Sequence, residues 1–462
     1  MSKIYTLEFS SIQNTQGTVC FTDHARDQQV NVSINIDDTG FQCRLKIEYP
    51  SKIADLIDLA VAIHGSDRLV RQPFDQPPCQ IKVILPVRNP DLLNSKLFQE
   101  KLEKLMHWAT GSNWCFSFTK RDDQKRSAEE NTLFDLPIDV NEVALWSGGL
   151  DALAGLYNRI CDAPNGLFIL CGSGSNDNII FKIQKQTFNA IEFLFPNRLK
   201  LYGVPIRFSN SKKCPKNPIS RSRGIVFTLI GSACAYLMGK RVLNVYENGI
   251  GAINLPYRDS ALGLDHTRSV HPRTLVMVSE LISILWEESF KIENPFLFWT
   301  KAQMCQVLFK NQAIDLAFLT KSCDQPLRKN PSQCGYCSSC LIRKQSLVAA
   351  EIEDKTKYYI SHASSSIKQD YYLYLNNILE QVKTLYNLLN TSDEFDQQWN
   401  AMTNQYPQLE YEILDYLELT YHDLSRNDIR DSLLNLYRNY IGEWNRVKSK
   451  VQATIEDYNH DE

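Results

Sequence analysis

No apolar stretch of this chain reaches the roughly 20 residues that a helix needs to cross a bilayer. The longest, GIVFTLIGSACAYLMG, is shorter and rich in small residues, which predicts a buried helix. The first residues, MSKIYTLEFSSIQN, lack the continuous apolar core of an export signal. Charge is nearly balanced: the formal net charge of -3 gives no global field that would draw the chain onto nucleic acid or an anionic membrane. Neither membrane attachment nor direct nucleic-acid binding is expected. There is no internal repeat at solenoid periods and no G-K-[ST] ending to make a Walker A loop. The 13 cysteines look plentiful. Their number is odd, however, and most stand singly among apolar neighbours, as Cys161, Cys171 and Cys234 do, which predicts buried free thiols. That pattern argues against a disulfide framework and for a cytoplasmic protein.

What is present is the composition of a globular protein with a sizeable core, 43% hydrophobic and 22% charged over 462 residues. A chain of that length predicts about three domains. Residues 1–135 read as an α+β accessory domain, with alternating strands such as VNVSINI and CQIKVILPV and two helices, KIADLIDLAVAIHGSD and KLFQEKLEKLMHWATG. The polar stretch from Lys120 to Thr132 reads as a solvated linker. Residues 140–355 alternate short apolar strands with longer helical segments, which predicts βαβ units: an α/β fold with a doubly wound parallel sheet and helices on both faces. Residues 367–462 repeat Tyr and Leu at helical spacing and read as a helical C-terminal extension.

Two motifs carry chemistry. In VALWSGGLDALAGLY a buried strand meets a helix at Ser147, Gly148, Gly149, Leu150 and Asp151. Adjacent glycines let the backbone approach an anion, and the helix that follows presents free N–H groups and the positive end of its dipole. Ser147 adds a hydroxyl donor. Asp151 can cap the helix or hold a Mg²⁺ that bridges phosphates. A tight strand–helix turn with an aspartate cap needs the same residues. The second motif places Cys323, Cys334, Cys337 and Cys340 in a C-x10-C-x2-C-x2-C array. Four thiolates at that spacing close a tetrahedron around a structural Zn²⁺ and leave no open coordination position. An iron–sulfur cluster also suits four thiolates, and unligated thiols are the third alternative.

The SGGLD loop resembles the SGGxDS signature of the PP-loop (HUP-like) ATP pyrophosphatases, which cleave ATP between its α and β phosphates to activate a substrate as an adenylate. The family's last serine is Ala152 here, which removes one hydroxyl contact to pyrophosphate. With CGYCSSCLIRK downstream, residues 140–350 resemble QueC, the 7-cyano-7-deazaguanine synthase family, which carries a four-cysteine zinc knuckle with an arginine after its last cysteine, as at Arg343. SRSRGIVF, Ser220–Phe227, is similar to an arginine-containing segment that opens a helix beside the ATP. The added regions resemble the QatC group of QueC-like proteins from bacterial anti-phage operons.

The resemblance implies ATP, Mg²⁺ and a structural Zn²⁺ as cofactors, and a carboxylate of the 7-carboxy-7-deazaguanine type as substrate. It implies nucleotide contacts at Ser147, Gly148, Gly149, Leu150 and Asp151. It also implies a catalytic set of Asp151, Arg221 and Arg223, the arginines alternatively being ordinary surface cations. Glu247 and Asn248 end another strand and face the same crevice. There Glu247 would hold Mg²⁺ or an exocyclic amine, or bond its own loop. His266, Arg268, His271 and Arg273 lie where QueC has a polar segment near its substrate. Three readings follow: an ATP-dependent C–N ligase that passes the acyl group to an amine of a protein partner encoded in the same operon, an ammonia-dependent synthase, and a silent ATP-binding subunit of a defence complex. The terminal regions, rich in aromatics, are expected to dock the partner and to stay clear of ATP. A homodimer is left open.

Overall fold

The computed structural model describes residues 3–44, 49–70, 78–121, 125–129, 139–175, 178–209, 217, 220–257, 268–325, 332–362 and 365–456. The strands are β1 (Ile4–Phe9), β2 (Gln16–Asp23), β3 (Gln28–Ile36), β4 (Gln80–Val87), β5 (Asn113–Lys120), β6 (Glu142–Leu145), β7 (Phe168–Ser175), β8 (Leu199–Ser209), β9 (Val242–Asn244) and β10 (Lys291–Glu293). They form one 10-stranded sheet in the order β10-β9-β6-β7-β8-β3-β2-β1-β4-β5. Pairing is parallel except at β1–β2, β2–β3 and β3–β8. The antiparallel pair Ile34↔Phe208 and Asn35↔Arg207 carries the sheet without a break from the strands before residue 135 to those after residue 140.

Between the strands run α1 (Ser51–Leu69), α2 (Pro90–Leu93), α3 (Lys96–Thr110), α4 (Leu150–Asp162), α5 (Asn178–Leu194), α6 (Arg223–Leu237), α7 (Gly249–Ile253) and α8 (Pro272–Trp286). Then follow α9 (Lys301–Lys310), α10 (Asp315–Leu319), α11 (Ser338–Ala349), α12 (Ser365–Leu389), α13 (Phe395–Gln405), α14 (Asp415–Glu418) and α15 (Arg426–Glu456). The two-residue period of β6 and β7 explains why both faces of the sheet are covered. Val143, Leu145, Ile169 and Cys171 enter a core shared with α1, α6 and α8, while Ala144, Trp146, Phe168 and Leu170 enter a second core shared with α4 and α9. Helix α6 is the apolar run noted in the sequence, and it is buried along most of its length. It lies close to β6: a Cβ at Gly231 would stand 2.4 Å from Leu145 Cδ2. Among the described residues no helix is long and apolar enough to cross a membrane.

Two local expectations meet a different structure. The described part of the Lys120–Thr132 stretch is only partly solvated: Lys120 and Lys125 are exposed, but Arg121 and Arg126 are buried and pair with Asp58 at 3.0 and 2.8 Å. Their charge is neutralised inside the fold rather than by water. Cys171 and Cys234 are buried thiols, but Cys161 is exposed. The helices after residue 365 do not close a core of their own. Tyr371, Trp399, Leu433 and Trp444 share one apolar cluster with Cys323, Cys334, Cys337 and Cys340.

Candidate functional site

Strand β6 lies beside β9, in register at Ala144↔Asn244, and here the strand order reverses: β7 and β8 follow β6 on one side, β9 and β10 lie on the other. In open α/β sheets the crevice outside the carboxyl ends of two such strands is where ligands bind. The chain leaves β6 through Trp146, whose indole N–H donates to the Gln184 carbonyl at 2.9 Å, and enters the glycine loop. Gly148 has φ +72°, and a Cβ there would lie 3.0 Å from the Gln184 Cα, so only glycine suits the turn. Gly149 caps α4 without a side-chain bond of its own, and its N–H donates to Ser147 Oγ at 3.2 Å. The Leu150 side chain is fully buried, so it offers the crevice its main chain. Ala152 is buried in the core as well.

Asp151 does not cap its helix. Its Oδ2 pairs with Lys301 Nζ at 2.9 Å, and its Oδ1 accepts from Asn248 Nδ2 at 2.9 Å. Asn248 Nδ2 also donates to Glu247 Oε1 at 2.8 Å, while Asn248 Oδ1 caps α7 by accepting from Gly251 N–H at 2.9 Å. Two strand ends and the start of α9 are thus tied into one network of two carboxylates, one ammonium and one amide. Burial and the neighbouring Asp151 charge push the Glu247 carboxyl up to about 8, while those same carboxylates hold the buried Lys301 ammonium protonated.

Lys301 is absent from the residues expected to act. Two signals in the sequence point to it. TKAQ is a capping box, observed with Thr300 Oγ1 accepting from Gln303 N–H and Gln303 Oε1 accepting from Thr300 N–H. A lysine in the first turn opposes the helix dipole and so needs an acid nearby.

These residues open onto a cavity of about 800 Å³. Ser147, Gly149, Leu150, Asp151, Glu247 and Asn248 line one end of it, with Lys301 and Lys321 as cations. Arg221 and Arg223 are not among its lining residues. Arg221 donates to the Thr110 carbonyl at 3.2 Å, and Arg223 lies 5.9 Å from the Phe227 ring one turn along α6. His266 lies outside the described residues. Arg268 and Arg273 stand 3.7 and 4.0 Å from the Trp108 ring, and the buried His271 caps α8 by accepting from Arg273 N–H. Burial and these two arginines depress the imidazole to about 3, so it stays neutral. This group joins α3 to α8 and leaves Ser269 and Val270 at the cavity wall.

The segment that carries the four cysteines supplies the neighbouring wall. Their Sγ atoms all lie within 4.8 Å of one another, with Cys334 and Cys340 3.8 Å apart. Tetrahedral zinc with bonds of about 2.3 Å sets thiolates about 3.8 Å apart, whereas an iron–sulfur cubane interposes four irons and spreads its ligands wider. Backbone N–H groups of Gln325, Cys334 and Cys337 point at Cys323 or Cys334 sulfur at 3.3–3.4 Å, which suits thiolates. Gly335 makes the knuckle turn at φ +86°. Lys344 Nζ is buried without a hydrogen-bond acceptor, 4.4 Å from the Tyr358 ring, and supplies a counter-charge for a tetrathiolate metal. The donor set fits a structural Zn²⁺. Arg343 ties the cysteine segment to α10, donating to Thr320 Oγ1 at 2.7 Å and to the Ala317 carbonyl at 2.6 Å. From this segment Ser322, Asp324, Ser338 and Ser339 face the cavity.

The remaining wall is Leu373, Tyr374, Asn377 and Ile378 of α12. The tail is not remote from the glycine loop: α12 packs beside the cysteine segment and lines the same cavity.

No curated protein matches the chain. One family model does, that of the queuosine biosynthesis protein QueC, over residues 271–351. This stretch holds Lys301, the four cysteines and Arg343, and it excludes the glycine loop and Glu247. Together with the cysteine cluster the match supports a QueC-like chain that uses ATP and binds a metal, and over residues 271–351 the protein is similar to the QueC family.

Proposed function

We propose that this protein is a PP-loop ligase of QueC-like type, which uses ATP to adenylate the carboxylate of a 7-carboxy-7-deazaguanine and then transfers the acyl group to an amine. The observation that carries this reading is the network of Asp151, Lys301, Asn248 and Glu247 at the start of α4, at the point where the strand order reverses. The strand order and the two covered faces support a doubly wound sheet. In the adenylation step a carboxylate oxygen attacks the α-phosphorus, the bond to the bridging oxygen breaks, and pyrophosphate leaves. The amine then attacks the acyl carbon, loses a proton and displaces AMP. Such chemistry rests on positioning and charge stabilisation. The main-chain N–H groups at the start of α4 and the Ser147 hydroxyl would orient phosphate oxygens. Lys301 and Lys321 would offset developing negative charge. Asp151 and Glu247 are the oxygen donors that would hold Mg²⁺, which supplies charge neutralisation on the phosphates.

The amine acceptor we favour belongs to a protein partner encoded beside this chain, in an anti-phage setting, because a cavity walled by the tail offers more docking surface than ammonia needs. Mass spectrometry of the purified protein with ATP, Mg²⁺, 7-carboxy-7-deazaguanine and ammonium, with and without proteins from neighbouring genes, tests the reading. A nitrile or amide base assigns the acceptor to ammonia, and a mass shift on a partner assigns it to protein. No AMP under any condition, which the alanine at position 152 would favour, leaves a silent ATP-binding subunit.

A further inference from the structure

We infer that α12 is the specificity wall of the site: Tyr374 and Asn377 receive the planar ring of the acyl substrate, while ATP occupies the end at the glycine loop. The inference rests on the reading above for the identity of that ring. The cavity lining has two chemically different parts. Around the start of α4 it is charged and small, suited to phosphates. On α12 it is an aromatic ring, two aliphatic side chains and an amide. That second combination is what a heteroaromatic ring with donors and acceptors on its edge requires, namely a face to stack on and a few placed polar groups.

The helix is built to hold that face still. Tyr371, Leu375, Ile378, Val382 and Leu385 form its buried stripe. On one side Tyr371 Oη donates to the Val451 carbonyl at 3.1 Å. On the other, Gln381 Nε2 donates to the Leu255 and Pro256 carbonyls at 3.0 and 2.9 Å, which ties α12 to the segment carrying Asn254 and Tyr257 of the same cavity. Between these anchors Leu373 is 52% exposed and Tyr374 is 43% exposed, although their neighbour Tyr371 is fully buried. Large apolar side chains displayed inside a concave site, on a helix fixed at both sides of them, are preorganised for a ligand.

The test uses the full-length protein and two readouts, acid-dependent ATP–pyrophosphate exchange and direct calorimetric binding of 7-carboxy-7-deazaguanine and of ATP. Tyr374→Ala, which removes a stacking platform, and Asn377→Ala, which removes a hydrogen-bonding amide, are each expected to weaken the acid, in KM and in Kd, about 10–100-fold, while ATP affinity stays within about twofold. Tyr374→Phe keeps the ring and is expected to restore acid binding. Unchanged acid binding in both alanine variants, or an equal loss of ATP affinity, overturns the inference. Wild-type protein that binds the acid through Tyr374 but shows no exchange sinks the adenylation reading and leaves the wall intact. Wild-type protein that binds no acid sinks the wall.

Discussion

Glu247→Gln is expected to stabilise the nucleotide-free protein at alkaline pH while removing its chemistry. The carboxyl sits at the crevice with Asp151 beside it, and burial and that neighbouring charge push it from 4.5 to about 8. Below pH 4.5 it is protonated whether the chain is folded or not, and it contributes no pH dependence. As pH rises from 4.5 toward 8 the unfolded chain ionises there and the folded chain does not, so the unfolded state gains and stability falls. A shift of that size corresponds to about 5 kcal/mol at most, at about 1.4 kcal/mol per unit. Water in the cavity screens that cost, so the net effect at pH 8 is expected to be about 1–3 kcal/mol. Glutamine has nothing to ionise, and its Oε1 still accepts from Asn248. Urea unfolding of both proteins between pH 4.5 and pH 9, without nucleotide, measures the difference. The curves should coincide at the acid end and separate steadily to pH 8, with the variant the more stable. A gap independent of pH, or a variant less stable at pH 8, refutes the raised proton affinity of the Glu247 carboxyl. Asp151→Asn should not imitate the effect, because it leaves Lys301 buried without its partner.

Asp151→Asn itself should lower ATP-dependent turnover at least about 100-fold with zinc content and far-ultraviolet circular dichroism unchanged, and wild-type turnover would make the loop a mere turn. Purified protein should contain about one zinc per chain, and Cys337→Ser should lose metal and soluble yield together, since metal binding energy is folding energy; iron with inorganic sulfide on elemental analysis would refute this. Truncation after residue 360 should yield insoluble or zinc-poor protein, because it strips Tyr371, Leu433 and Trp444 from the cluster around the cysteines. A soluble, zinc-loaded truncation that binds ATP normally would contradict the shared core.

The glycine loop and the cysteine array were legible in the sequence because what they require is local. A left-handed turn needs glycine, and chelation needs a fixed spacing of thiols. The alternation of short strands and helices was legible for the same reason, since period two in β6 and β7 fixes which side chain enters which core. Lys301 announced itself only through a capping box and an unfavourable charge at a helix start, signals that gain meaning once Asp151 is known to lie opposite. Arg221 and Arg223 looked like cations aimed at a ligand because they open a helix. Their directions were set instead by α3, whose Thr110 carbonyl takes Arg221, and by the Phe227 ring one turn on. The charges around Arg126 read as a solvated linker because their partners, Asp38 and Asp58, lie far upstream. The reach of α12 into the cavity depends wholly on tertiary packing, and its Tyr and Leu spacing told only that it is a helix.

The packing also explains why the tail and the zinc knuckle belong to the site. Glu443, buried on α15, accepts at one oxygen from Thr300 Oγ1 and at the other from Gln345 Nε2 at 3.1 Å. Thr300 caps α9, whose next residue is the lysine held by Asp151. Gln345 lies on α11, whose first turn carries Cys340 and whose N-cap is Cys337. One carboxylate of the tail therefore ties together the helix that presents the ammonium and the helix that presents the metal ligands. Breaking it would leave a hydroxyl and an amide buried without an acceptor, at a cost of about 1–3 kcal/mol each. Charge placement beside a phosphate tolerates little displacement, because the attraction changes with distance at once and no covalent bond restores the geometry. An open sheet leaves the carboxyl ends of β6 and β9 facing solvent. The cysteine knuckle and α12 supply the two walls that the sheet lacks, and Glu443 ties the knuckle helix to the start of α9 beside the loop.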